Sequence, residues 1–185
     1  GSGKTIISIM SILLAHDNGF QSCLMAPTDI LANQHFKRMC EFSHDLNLKV
    51  VLLTGKTKPK IKQQILLDLR SNKIDLIIGT HALIQDDVIF SKLGLAIIDE
   101  QHKFGVSQRA KLWANRDVVP HVLVMTATPI PRTLAMTAYG DLDVSVIDEL
   151  PPNRKEIETI HKYDKEISQV LKFIYSELEK SKQVY

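Results

Sequence analysis

Cysteine is scarce in this chain. Two occur among 185 residues, Cys23 and Cys40, too few for a disulfide framework and without metal-ligand spacing, so two buried thiols in a reducing compartment are expected. Long hydrophobic runs are lacking too: no apolar stretch nears the ~20 residues of a membrane span, and nothing has the architecture of a signal peptide. An excess of one charge is also missing. With 23 Lys and Arg against 21 Asp and Glu, the net charge is +2. No general positive field draws nucleic acid, and any such contact must come from a local arrangement of groups. Aromatic residues reach only 6%, and Trp113 with the scattered Phe residues forms no stacking platform of the kind single-strand binders use. What is present is the composition of a globular domain, 44% hydrophobic and 24% charged. The length allows one full domain with something left over.

Short apolar runs alternate with longer amphipathic segments. Residues 21–26, 49–53, 75–78, 95–98 and 121–125 are continuous apolar runs that suit strands buried on both faces. Helical patterns fill the intervals at 6–16, 30–43, 61–69 and, shorter, 106–114; in the third, Ile61, Ile65, Leu66 and Leu69 share a face. The alternation predicts an α/β fold, a parallel sheet covered by helices on both faces. Ligands bind such sheets at the carboxyl ends of the strands, which directs the search to the turns that follow them. Near Pro151 and Pro152 the run DELPPNRKE is polar and linker-like. Beyond it Ile167, Val170, Leu171, Ile174 and Leu178 recur at helical spacing. The expected division is therefore a domain over 1–146, then a linker and the start of a second domain over 147–185.

Residues 1–5 read GSGKT, the end of the pattern G-x-x-x-x-G-K-[ST]. There the backbone N–H groups of Gly1, Ser2 and Gly3 would curve around phosphates, Lys4 would reach the β and γ oxygens of ATP, and the Thr5 hydroxyl would join the shell of a Mg²⁺ ion. A helix starting near Thr5 would aim its positive end at the nucleotide. A flexible glycine-serine lead into a helix would read the same way over five residues. The first Gly of the pattern and the strand before it, expected to be central in the sheet, lie outside the chain. The chain alone is therefore expected to bind ATP weakly or not at all.

The run LAIIDEQHKFGVSQR, residues 95–109, carries more. An apolar strand delivers Asp99 and Glu100 to the sheet's carboxyl edge, where two acidic side chains are costly unless they meet a cation or a proton-transfer task. Asp99 suits a Mg²⁺ ligand, and Glu100 suits the group that orients or deprotonates the water attacking the γ-phosphate. Elsewhere Thr28, after Pro27, suits a helix N-cap, and Thr80 and His81 follow a strand in the same manner. Lys56, Lys58, Lys60 and Lys62 form a basic cluster that reads first as a solvated face.

Asp-Glu-x-His after a strand resembles the superfamily 2 helicases, and DEQHKFGVSQR resembles their RecG-type branch, with Lys103 where Arg is usual. The resemblance covers nearly the whole chain and implies a RecA-like P-loop NTPase fold. It implies His102 at the nucleotide, and it implies that APTDILANQH (26–35) and GTHALI (79–84) touch a nucleic-acid backbone through Pro27, Thr28, Thr80 and His81. It further implies that Gln101 and, within MTATPIPRTLA (125–135), Thr126, Thr128 and Arg132 couple the nucleotide and nucleic-acid sites. The implied activity is ATP-dependent, Mg²⁺-requiring DNA unwinding or translocation on branched DNA, forks and Holliday junctions, by a monomer in the bacterial cytoplasm. The alternatives are a translocase of the transcription-repair coupling type, which has a second Glu where this chain has Gln101, and a nucleic-acid-binding module without turnover.

Overall fold

A computed structural model of the protein describes residues 3–43, 46–100, 119–127, 143–147 and 157–184. The expected helix at 106–114 and the linker run at 148–156 lie outside them. The chain divides into two compact units, Gly1–Asp148 and Glu149–Tyr185.

In the first unit the order is α1 (Lys4–Asp17), β1 (Gln21–Met25), α2 (Asp29–Ser43), β2 (Val50–Leu53), α3 (Pro59–Arg70), β3 (Leu76–Gly79), a 3₁₀ turn (His81–Ile84), β4 (Leu93–Asp99) and β5 (His121–Met125). All five strands are parallel, in the order β2-β3-β1-β4-β5. β1 and β3 are buried along their whole length. That is why residues 23–26 and 76–78 are continuous apolar runs and not alternating ones. Among these five strands β1 is central, and β4 pairs directly with β5.

Successive side chains of a strand point to opposite faces, and this sorts the core into two layers. Cys23, Met25, Ile77, Ala96 and Ile98 face α3 and the 3₁₀ turn, packing on Ile65, Leu69 and Leu83. Leu24, Leu76, Ile78, Leu95 and Ile97 face the opposite layer with Ile12 of α1 and Ala32 and Met39 of α2. Helices thus cover both faces. The α3 stripe is narrower than its periodicity suggested: Ile65 and Leu69 are buried, Leu66 partly so, and Ile61 is 53% exposed at the first turn. Cys23 is buried, but Cys40 is exposed on the outer side of α2, a correction to the pair of buried thiols expected.

Gly79 ends β3 where no side chain fits. A Cβ there would lie 2.1 Å from the Leu53 carbonyl oxygen of the neighbouring strand, so the close approach of β2 to β3 at the sheet's carboxyl edge requires glycine.

The second unit contains a 3₁₀ turn (Asp164–Glu166) leading into α4 (Ile167–Glu179), which has no buried residue. Among the described residues no helix is long and apolar enough to cross a membrane.

Candidate nucleotide and nucleic-acid site

Because every strand is parallel, the ends of β1, β3, β4 and β5 emerge at one edge of the sheet, and Thr28, Thr80, His81, Asp99, Glu100 and Thr126 stand at those ends. Gly3 caps α1 in the left-handed conformation at φ 85°, which glycine adopts without steric cost. Its carbonyl accepts from Ile6 N at 2.9 Å, and no side chain caps the helix. The first backbone N–H groups of α1 therefore point out of the helix beside Lys4 and Thr5, both half-buried. Ser8, one turn on and buried, sets its hydroxyl 3.1 Å from both the Lys4 carbonyl and the Met125 sulfur, anchoring α1 against the end of β5.

β4 carries Asp99 to this edge in register with Met125, and Glu100 extends the pairing through its N–H to the Met125 carbonyl at 2.9 Å. Glu100 has φ 51°, a left-handed conformation that non-glycine residues adopt at a cost of order 1–3 kcal/mol and that clusters at functional sites. It turns the chain sharply after Asp99, so both carboxyl groups are held half-buried at the strand end. Thr126, first after β5, places its hydroxyl 3.5 Å from Glu100 Oε2.

Asp99 is held from α2. His35 Nε2 lies 2.8 Å from Asp99 Oδ2, the two side chains being 16% and 14% exposed. Three residues further along α2, Arg38 donates to the Thr5 hydroxyl at 3.3 Å. Thr5 and Asp99, far apart in sequence, are thus both within reach of one helix face.

The turns after β1 and β3 behave differently from each other. Thr28 is exposed and caps α2, its hydroxyl accepting from Leu31 N at 3.3 Å, as its place after Pro27 suggests. His81 is exposed at the start of the 3₁₀ turn. Thr80 is only 2% exposed, and its hydroxyl has no hydrogen-bond partner among the described residues. The Thr80 side chain is thus enclosed, whereas that of His81 faces outward. In the basic cluster, Lys56 pairs with Asp29 at 3.7 Å and Lys62 with Asp87 at 2.7 Å, which consumes part of its charge. Gly1, Ser2, Gln101, His102, Thr128 and Arg132 lie outside the described residues. His35 and Arg38 were missed by sequence reasoning, because a helix-borne His or Arg looks like surface until the helix is seen to lie beside a strand end.

The chain resembles known proteins in sequence and in fold. Residues 1–137 match the family described as DEAD/DEAH box helicase. Over its full length the chain is 51% identical to the ATP-dependent DNA helicase RecG of Synechocystis sp. and 47% identical to that of Bacillus subtilis, covering 22% and 27% of those proteins. The chain therefore spans about a quarter of the length of these relatives. A solved structure of RecG bound to a three-way DNA junction superposes with a TM-score of 0.82 at 47% identity, over 97% of this chain and 24% of that one. The yeast DEAD-box splicing factor Prp28 shares the fold at a TM-score of 0.58 and 17% identity, over 96% of this chain and 47% of that one.

Proposed function

The chain belongs to the DEAD/DEAH box helicase family, and from that premise we propose that it is the first RecA-like motor domain, with the start of a second, of a monomeric RecG-type DNA helicase acting on branched DNA. The observation that carries this reading is the meeting, at one sheet edge, of the uncapped α1 N-terminus with the Asp99–Glu100 strand end.

The N–H groups at the start of α1 and the Lys4 ammonium take the phosphates of ATP, helped by the positive end of the helix. Thr5 and Asp99 offer the hard oxygen donors that Mg²⁺ prefers, each tied to the same helix face, and would hold the ion together with the ATP phosphates. Mg²⁺ bound there would neutralise charge on the β and γ oxygens. Glu100, half-buried and fixed by its backbone bond to Met125, orients the attacking water and accepts its proton. Thr126, beside the Glu100 carboxyl group, senses its state and passes it along the segment after β5. Pro27, Thr28, Thr80 and His81, on the turns after β1 and β3, meet the nucleic-acid backbone, Thr80 through its main chain because its side chain is buried.

The test is ATP turnover by the full-length parent with and without a three-way DNA junction. Junction-stimulated hydrolysis is expected, and Glu100→Gln should lower kcat at least ~100-fold while leaving Mg·ATP binding intact. Turnover that survives this substitution would defeat the catalytic assignment. Equal stimulation by linear duplex and junction would favour a translocase without branch preference.

A further inference from the structure

His35 and Arg38 stand one turn apart on α2, so their side chains lie on the same side of the helix. Both reach the nucleotide site: His35 meets Asp99 at 2.8 Å, and Arg38 meets Thr5 at 3.3 Å. The same helix starts at the exposed turn of Pro27 and Thr28, where Thr28 serves as its cap. One rigid element of 15 residues thus has its first turn at the proposed nucleic-acid face, while its second and third turns carry the contacts to Asp99 and Thr5.

We infer that His35 is a positioning residue for Asp99, fixing one carboxylate oxygen so that the other faces the cation, and that α2 thereby links the nucleic-acid face to the cation-holding groups. The inference rests on the nucleotide-site reading above. A carboxylate has two oxygens and rotates unless one is held. The His35–Asp99 bond lies in a largely enclosed position, where water competes poorly, so it restrains Oδ2, while Oδ1 has no hydrogen-bond partner among the described residues. Outer partners of this kind typically change metal affinity or activity by ~10–100-fold when removed. The Arg38–Thr5 contact is exposed and long, and supplies the weaker of the two restraints.

The experiment uses the full-length parent and titrates Mg²⁺ against binding of a fluorescent ATP analogue, with a parallel measurement in EDTA. His35→Ala should raise the Mg²⁺ midpoint ~10-fold and leave metal-free binding unchanged. His35→Gln, whose amide nitrogen can stand where Nε2 stands, should restore the midpoint. In turnover, His35→Ala should raise the KM for Mg·ATP more than it lowers kcat. A three-way junction that shifts the wild-type Mg²⁺ midpoint should shift it less in the Ala variant. An unchanged midpoint in a folded His35→Ala protein overturns the inference, as does an equal loss of binding in EDTA, which marks a merely structural residue. Glu100→Gln separates this from the underlying reading: if that variant still turns over ATP, the catalytic assignment has failed, whereas its expected behaviour beside a silent His35→Ala defeats the positioning role alone.

Discussion

At the scale of single residues, a polar side chain in the core does structural work that resembles none of the catalytic motifs. Gln21 opens β1 at 1% exposure, and its amide is fully used. Its nitrogen donates to the Leu69 and Ile74 carbonyls at 3.0 and 2.9 Å, and its oxygen accepts from Ser91 N and Lys92 N at 2.8 and 3.0 Å. It therefore joins the end of α3, the approach to β3 and the approach to β4. Removing it strands backbone groups away from water, so Gln21→Ala should cost about 3 kcal/mol of stability, since each buried unsatisfied group costs about 1–3 kcal/mol. Urea unfolding reads this directly, and a loss under about 0.5 kcal/mol would mean that water replaces the amide. Cys40 contrasts with it: partial burial raises its thiol pKa above the ordinary value, so this exposed cysteine is a poor nucleophile near neutral pH.

At the scale of elements, α4 depends on its first turn. The Glu166 carboxylate accepts from Tyr163 N at 3.2 Å and from Lys162 Nζ at 3.2 Å, and these two contacts hold its pKa below the usual glutamate value. A depressed carboxylate pKa contributes stability that is present above the unfolded value and lost as pH falls through the folded one. Amide exchange at 164–168 should therefore quicken as pH drops below about 4.5, after correction for the intrinsic rate, and should not respond between pH 6 and 8. Glu166→Gln should flatten that acid response. α1 depends on something else: it has no side-chain cap and is held instead by Ile12 in the core and Ser8 against Met125. An uncapped N-terminus is unfavourable for the helix but suitable for a phosphate.

At the scale of the whole molecule, the two units should differ in local stability. The first is built on five parallel strands with buried layers on both faces, whereas α4 of the second has no buried residue. Opening free energies follow buried contacts, so amides of β1, β3 and β4 should exchange most slowly and those of α4 orders of magnitude faster. Exchange mass spectrometry on the chain checks this; equal protection would mean that α4 gains a partner in solution. Five strand runs, four helices and the DE pair were legible from residue order, because a strand buried on both faces is mostly apolar and a helix repeats every 3.6 residues. The parallel architecture followed from the alternation of these elements. The place of Asp99 and Glu100 at the carboxyl end of β4 followed in turn from the apolar run that precedes them. The order β2-β3-β1-β4-β5, the enclosure of Thr80, the φ of 51° at Glu100 and the approach of His35 to Asp99 were decided only in three dimensions. Each depends on which non-neighbouring segments pack together, and a local pattern of residues carries information about its own face but not about the partner that face will meet.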